Sequence, residues 1–156
     1  MKNKIFRFVI YLAIPLGAGF LSYLLTKDSI ADFATVNQPP LTPPPIVFSI
    51  AWTILYALMG VSSWLVGTSP ASDRMKKSAL TVYGIQLAVN ILWPVFFFNL
   101  KMYLPSFIWI IFLIVWVIIM IKEFGKISSL AAKLQLPYLI WLLFASYLNL
   151  GVYFLN

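Results

Sequence analysis

The side chains of this sequence that could do chemistry are aromatic rings and neutral amides spaced along helical faces. Ser49, Trp52 and Tyr56 are separated by three and four residues, so they share one face of a helix. Two further faces repeat these intervals: Gln86, Asn90 and Trp93 on one, and Tyr138, Trp141, Ala145 and Leu148 on the other, with Asn149 beside it. Rings with a few neutral donors and no formal charge suit a large, flat, mostly apolar ligand.

Conventional catalytic groups are scarce. The chain has no Cys, no His and only four carboxylates. Metal sites and general acid–base catalysis depend on clusters of such groups. We therefore expect no metal site and no covalently bound cofactor, and any enzymatic activity would have to use the aromatic rings.

The elements that position these residues are membrane-spanning helices. Hydrophobic residues make up 62% of the chain and charged residues 10%, against about 25% charged residues in a soluble domain. Five apolar stretches are each close to the roughly 20 residues that cross a bilayer core: residues 5–25, 46–66, 79–98, 104–121 and 136–155. We predict an all-α integral membrane bundle of five transmembrane helices, forming one domain over residues 1–156.

Lys and Arg predict the orientation of this bundle. Alternate loops, counted from the N-terminus, carry nine basic residues against two, which places the N-terminus inside and the C-terminus outside. This topology accounts for most of the net charge of +7, so we expect no nucleic-acid partner. Without a transit peptide pattern, a bacterial plasma membrane is the favoured location.

The first loop, residues 26–45, is the only long one and contains five prolines. Ser29 to Asp32 has the pattern of a capping box, which predicts a short helix over residues 29–36. Ile30, Phe33 and Val36 would form its apolar stripe, and the next helix can begin only at or after Pro45. The segment is either a lid over the outer mouth of the bundle or a helix lying on the membrane surface.

Both polar and small residues leave alternatives open. Gln86 and Asn90 either line a cavity or hold helices together. Trp52, Trp93 and Trp141 either line that cavity, pack between helices or form an interfacial belt. Gly84 and Ala88 form a small-residue pair on the opposite face of the third span. Such a pair allows close approach of a neighbouring helix, including one from a second protomer.

Three blocks of residues together resemble the translocator protein family, also called tryptophan-rich sensory proteins or peripheral benzodiazepine receptors. They occur in the family's order and cover the second, third and fifth spans. The first block holds Pro43, Pro44, Phe48, Trp52, Tyr56 and Gly60; the second holds Tyr83, Gln86, Asn90, Trp93, Phe97 and Phe98; the third holds Pro137, Tyr138, Trp141, Ala145, Leu148 and Asn149.

The resemblance implies a five-helix bundle, often a homodimer, with a pocket beneath the first loop. It implies binding of porphyrins such as protoporphyrin IX, and in some members their degradation in light and oxygen, with Trp52 and Trp141 as the candidate catalytic residues. Carrier or exporter activity toward tetrapyrroles, sterols or other lipophilic molecules is the alternative. Taken with the helical faces, the expected ligand-binding residues are Pro43, Pro44, Phe48, Ser49, Trp52, Tyr56, Gln86, Asn90, Trp93, Trp141, Ala145 and Leu148.

Three departures from the family pattern bear on this expectation. Asp32-Phe33 stands where the family usually has Trp-Tyr, and Gln38 stands before Pro39 where Lys is usual. The sterol pattern needs a basic residue after Tyr153, and none follows. The expected ligand is therefore a porphyrin rather than a sterol.

Overall fold

A computed structural model describes residues Lys2–Asn156, and its architecture is a helical bundle. The elements are α1 (Lys2–Ile30), a 3-10 helix (Ala31–Thr35), α2 (Pro45–Gly67), α3 (Asp73–Pro94) with a π-helical extension (Val95–Asn99), α4 (Tyr103–Gly125), α5 (Ser129–Leu134) and α6 (Leu136–Leu155). Five of the helices, all except the short α5, are long and apolar enough to cross a membrane. The predicted five-helix membrane bundle is confirmed.

The ends of the helices follow from local sequence. Helix α2 begins at Pro45, as predicted, because proline lacks the N–H that a first helical turn leaves unpaired. Helix α3 begins at Asp73, six residues before the apolar stretch, because the Ser72 side chain accepts a hydrogen bond from the Met75 backbone N–H at 3.3 Å. The structure therefore extends this helix beyond the predicted span.

The capping-box prediction at Ser29 was wrong as a helix start. Helix α1 runs without a break through Ile30, and the 3-10 helix follows it directly. The backbone of Ser29 is already within a helix, so its N–H needs no side-chain cap. The predicted apolar stripe is nevertheless present, because Ile30, Phe33 and Val36 are the apolar residues of this region that are partly buried.

The packing of the helices leaves α2 and α6 apart. Helix α1 packs on α2 and α3, α3 packs on α4, α4 packs on α6, and α5 contacts both α2 and α4. Between α6 and either α2 or α3, the Cα atoms are almost nowhere within 8 Å of each other. Large side chains must bridge this space, and they are the ones that the sequence marks as candidate site residues.

Two glycines allow α1 to lie close to α2. A Cβ atom at Gly60 would lie 2.8 Å from the Leu12 Cα atom, so the two backbones meet there. A Cβ atom at Gly19 would overlap the Tyr56 ring, since it would lie 2.6 Å from the ring's Cδ2 atom and closer still to Cε2. Glycine at these positions makes room for the neighbouring backbone and for a ring that belongs to the candidate site.

The segment 31–44, which we call the lid segment, closes one end of the bundle. Asn156 accepts a hydrogen bond from the Asn37 backbone N–H at 3.1 Å and donates one to the Asn37 carbonyl oxygen at 2.8 Å. Tyr147 donates to the Pro40 carbonyl oxygen at 2.9 Å. Pro39 is buried against Gly151, where a Cβ atom would lie 2.6 Å from the proline ring. The lid segment is thus fastened to the last turns of α6.

The other side of the lid segment is fastened to the π-helical extension of α3 and to the loop that follows it. Phe33 packs on Phe97 and Phe98, with ring centroids 5.5 and 5.4 Å away. Asp32 lies 3.8 Å from the Lys101 ammonium group. Gln38 donates to the Phe33 carbonyl oxygen at 3.0 Å. The residues that depart from the family pattern therefore hold the lid segment together in this chain.

Candidate ligand site between helices α2, α3 and α6

A buried network of hydrogen bonds joins the three helices near the middle of the bundle. The Tyr56 hydroxyl donates to Asn90 Oδ1 at 2.6 Å, and Asn90 Nδ2 donates to Tyr138 Oη at 2.7 Å. The Tyr138 hydroxyl donates to Gln86 Oε1 at 2.8 Å, and Gln86 Nε2 contacts Met59 Sδ at 3.9 Å. We call Tyr56, Gln86, Asn90 and Tyr138 the central network. Lipid cannot satisfy such groups, so their pairing fixes the helices relative to one another.

One helical turn from the central network, on the side of the lid segment, α2 and α6 are joined by contacts between aromatic rings instead of hydrogen bonds. Trp52 and Trp141 meet edge to face, with ring centroids 6.4 Å apart and an interplanar angle of 88°. Phe48 packs on Trp141 at 5.7 Å, and Trp52 stacks on Tyr56 at 5.6 Å. We call Phe48, Trp52 and Trp141 the tryptophan cluster. Its rings fill the space between α2 and α6.

The tryptophan cluster contains a polar atom that is left unpaired. Nε1 of Trp141 is buried and has no hydrogen-bond partner among the described residues. Trp93, by contrast, donates from its Nε1 to Asn149 Oδ1 at 3.0 Å. Buried indole N–H groups normally find an acceptor, so Trp141 retains a donor that a bound molecule could use.

Trp93 lies apart from the tryptophan cluster, although its spacing groups it with Asn90. Its ring stacks on Phe97, with centroids 5.1 Å apart, and Phe97 contacts Phe33 of the lid segment. Asn149, its hydrogen-bond acceptor, also accepts from the Ser106 hydroxyl at 3.0 Å. Trp93 thus connects α3 to α4 and α6 beneath the lid segment.

Sequence reasoning missed one of these neighbours, Ser106, which lies on the fourth span, where the chain matches the family only in length and character. Phe97 belongs to the second block of the resemblance and lies four residues from Trp93. It was not among the expected ligand-binding residues.

The remaining predicted residues fall into two groups. Ala145 and Leu148 are buried on α6, with 4% and 7% of their surface exposed. Ser49 is exposed, and its hydroxyl donates to the Pro45 carbonyl oxygen at 3.4 Å. Burial of this face of α2 begins only at Trp52, although the spacing of Ser49 matches that of Trp52 and Tyr56.

Two depressions border the site. The larger, of about 260 Å³, is a groove on α2 lined by Ser49, Ile50, Thr53 and Ile54. The smaller, of about 10 Å³, lies under the lid segment and is lined by Ser29, Asp32, Phe33, Val36, Phe97, Phe98, Lys101 and Tyr103. Pro43 and Pro44, at the start of α2, are partly buried and exposed, respectively. Rings rather than open space therefore occupy the region between α2 and α6.

The fold and this interior define an integral membrane protein of five spans with a neutral core of rings and amides. The chain belongs to the TspO/MBR family, whose model matches residues 11–155. The resemblance read from the three sequence blocks is confirmed.

Relatives from distant organisms share nearly the whole chain. The tryptophan-rich protein TspO of Archaeoglobus fulgidus is 36% identical over 156 residues, covering 98% of this chain and 99% of the relative. The translocator protein homolog of Schizosaccharomyces pombe is 33% identical, with 92% and 88% covered. The translocator protein of Homo sapiens is 30% identical, with 91% and 85% covered. The similarity thus extends over all five spans.

Proposed function

We propose that this protein binds a porphyrin such as protoporphyrin IX, or a similar flat apolar molecule, between α2 and α6 beneath the lid segment. One observation carries the proposal: these two helices stand apart, and the tryptophan cluster alone bridges them at this level. Aromatic rings in edge contact can turn aside and offer their faces. A planar macrocycle would then replace ring–ring contacts with stacking of comparable strength.

The neutral interior agrees with this ligand. The central network forms the floor of the proposed site, and its polar atoms are already paired with one another. The unpaired Trp141 N–H is a buried donor that remains for an acceptor on the ligand. A largely apolar ring system with few polar atoms fits a site with rings for walls and a buried, unpaired indole N–H.

Light- and oxygen-dependent degradation of the bound porphyrin is part of the proposal. The porphyrin absorbs light and passes its energy to dioxygen, and the excited dioxygen adds across a double bond of the macrocycle. Both oxygen atoms enter the product, so the step needs no external reductant. Trp52 and Trp141 hold the macrocycle where this oxygen forms, and they are the rings able to stabilise an oxidised intermediate.

The experiment compares Trp52→Phe and Trp141→Phe with the unmodified protein in a titration with protoporphyrin IX, in darkness and then in light. Trp116→Phe is the matched control, because Trp116 pairs with Phe112 on α4 rather than facing α2. We expect weaker binding in both site variants and slower bleaching of whatever porphyrin remains bound. Unchanged affinity contradicts the site, and unchanged bleaching at full occupancy contradicts the catalytic role. Passage of porphyrin into sealed vesicles, above a lipid-only control, would instead support the carrier alternative.

We also propose that α3 is the surface of a homodimer. Gly84 and Ala88 are exposed, and no described atom lies within 4 Å of a Cβ placed at Gly84. A second protomer could therefore approach the α3 backbone closely. The charge asymmetry supports an N-terminus inside and a C-terminus outside, with the lid segment on the outer face of a bacterial plasma membrane. Crosslinking of a cysteine placed at Ala88 would test the dimer.

A further inference from the structure

One ion pair borders the smaller depression, of about 10 Å³, beneath the lid segment. Asp32 Oδ2 lies 3.8 Å from Lys101 Nζ, and both residues line this depression. We call the depression the lid crevice. Its other walls are mostly apolar or aromatic side chains: Phe33, Val36, Phe97, Phe98 and Tyr103. The lid crevice therefore combines aromatic walls with a single cation.

The backbone of Lys101 has a conformation that usually belongs to glycine. Its φ angle is 51°, in the left-handed region that residues with a Cβ atom rarely adopt. The Leu100 backbone N–H donates to the Val95 carbonyl oxygen at 3.0 Å. The Met102 backbone N–H reaches back to the Phe96 carbonyl oxygen, also at 3.0 Å, so Lys101 is the left-handed cap of the π-helical extension. A lysine held in this strained position points to a role for its side chain.

The ion pair between Asp32 and Lys101 can exchange partners. The Asp32 side chain is 61% exposed and the Lys101 side chain is 56% exposed, and their separation of 3.8 Å is longer than a direct hydrogen bond. Exposed pairs of this kind contribute little to stability, because water and salt screen both charges. A second carboxylate could therefore replace Asp32 beside Lys101 at little cost, while the Asp32 side chain turns toward solvent.

Lys101 is one of two basic residues on the side of the bundle where the lid segment lies. The other is Lys27, in the last turn of α1. The central network and the tryptophan cluster contain no charged side chain, and an unpaired carboxylate is costly to bury in such an interior. A flat ligand that carries carboxylates must therefore leave them near the lid segment, where Lys101 is the cation that borders a crevice.

Contacts between rings connect the lid crevice to the proposed ligand site. Phe97 and Phe98, two walls of the crevice, pack on Trp93 with ring centroids 5.1 and 6.2 Å away. Trp93 donates a hydrogen bond to Asn149 of α6, and Asn149 follows Leu148, the last residue of the predicted ligand-binding face. This face of α6 therefore extends from the tryptophan cluster to the rings that line the lid crevice.

We propose that Lys101 binds a carboxylate of the ligand in exchange for Asp32. The inference rests on the proposed function, because it assigns the acidic groups of a porphyrin held between α2 and α6. Protoporphyrin IX has two propionate groups on one edge of its ring system. One of them reaches Lys101, and the apolar edge lies toward the tryptophan cluster. Asp32 competes for the same cation, so the ion pair sets the preference between acidic and neutral flat molecules.

Two ligands that differ only in their carboxylates test this exchange. Protoporphyrin IX and its dimethyl ester are titrated into the full chain in detergent and in darkness, and the ratio of the two dissociation constants is measured. Binding of the acid should weaken about fivefold in Lys101→Gln and tighten about threefold in Asp32→Asn. Binding of the ester should stay the same. A purely structural ion pair would change the lid segment for both ligands alike, so the ratio would not move.

Lys27→Gln is the matched control, because it removes the other exposed positive charge on this side of the bundle. Its ratio should equal that of the unmodified protein. A shift as large as that in Lys101→Gln would mean that the acid responds to overall charge, which overturns the assignment. An unchanged ratio in Lys101→Gln also overturns it, while the site between α2 and α6 stands if both ligands still bind. If the unmodified protein binds neither ligand, the proposed function and this inference are both wrong.

Discussion

The central network and the tryptophan cluster lie one helical turn apart on the same helices, yet they bridge the space between α2 and α6 differently. In the central network, each side chain is buried and each hydroxyl donates to an amide oxygen on another helix. In the tryptophan cluster, Trp52 and Trp141 are only partly buried, and the Trp141 N–H is unpaired. The central network depends on specific hydrogen-bond partners. The tryptophan cluster depends on ring contacts that many arrangements of the rings could provide.

The difference teaches where this bundle can change shape. Separating hydrogen-bonded groups in lipid leaves polar atoms without partners, which costs more than turning aromatic rings from one contact to another. We infer that the central network sets the spacing of the helices and that the tryptophan cluster adapts to a ligand. Substitutions in the first should therefore alter stability, and substitutions in the second should alter binding.

Among the variants that separate the central network from the tryptophan cluster, Asn90→Leu should lower stability most. The change removes the acceptor of the Tyr56 hydroxyl and the donor to Tyr138, and it leaves both phenols with a lost partner in a buried position. We expect the free energy of unfolding to fall by about 3 kcal/mol. Thermal unfolding of the purified protein in detergent measures it.

Thr81→Val is the control for Asn90→Leu on the same helix. Thr81 is exposed, and its hydroxyl donates only to the Lys77 carbonyl oxygen one turn earlier. Its replacement should leave stability unchanged. If the two variants have the same unfolding temperature, the central network does not hold the helices in place. The proposed difference between the central network and the tryptophan cluster would then be wrong.

Gly19→Ala should have the next largest effect. We expect it to lower the free energy of unfolding by about 2 kcal/mol, which is typical of an overpacked core. A Cβ at Gly19 would lie 2.6 Å from Cδ2 of the Tyr56 ring and closer still to Cε2, nearer than van der Waals contact allows. The ring must move, and its hydrogen bond to Asn90 must lengthen or break. Gly17→Ala, two residues away, meets no described atom within 4 Å and serves as the matched control. Equal unfolding temperatures for the two variants would show that Tyr56 has room to shift.

The fold was largely predictable from sequence because membrane spans leave a strong signal. The five apolar stretches are each close to the length of a bilayer crossing, and their composition excludes a soluble fold. The error at Ser29 has a physical reason, because a capping box marks a helix start only where the preceding chain is not already helical. The π-helical extension after Pro94 and the short α5 depend on local hydrogen bonding that no periodicity reveals.

The candidate site was predictable in its members but not in its connections. Helical spacing grouped Gln86 with Asn90, and the structure joins both to Tyr138. Spacing also grouped Trp93 with Asn90, yet the Trp93 ring stacks on Phe97 instead. A long side chain can turn along the helix axis toward another turn, so its position on a face does not determine its contacts. Whether the predicted residues bind a ligand together stays a prediction.

Ala145→Thr tests the tryptophan cluster with a smaller effect. Ala145 is 4% exposed and lies one turn from Trp141 on α6. The extra atoms of threonine should crowd the space that a macrocycle needs and weaken porphyrin binding about tenfold, or by about 1.4 kcal/mol. A fluorescence titration with protoporphyrin IX measures this. Leu143→Thr, on the exposed side of α6, is the control. An unchanged affinity in Ala145→Thr would place the ligand away from this face.

Asn156→Ala should have the smallest energetic effect of these variants. It tests whether the lid segment limits access of a ligand to the tryptophan cluster. The variant removes the acceptor of the Asn37 backbone N–H and the donor to the Asn37 carbonyl oxygen, while Tyr147 and Pro39 keep their contacts with α6 and the lid segment. Exposed hydrogen bonds contribute about 0.5 kcal/mol, so hydrogen exchange at the Asn37 amide should accelerate roughly twofold. Global stability should not change.

The rate of porphyrin association in Asn156→Ala shows whether the ligand enters beneath the lid segment or between α2 and α6. If the lid segment must open before a ligand reaches the tryptophan cluster, Asn156→Ala should speed both association and dissociation and leave the affinity nearly constant. Asn3→Ala, an exposed asparagine near the other end of α1, is the control. Faster amide exchange with unchanged association would mean that the ligand enters between α2 and α6 from the lipid. The tryptophan cluster would then be reached from the lipid, through the space between α2 and α6, rather than from beneath the lid segment.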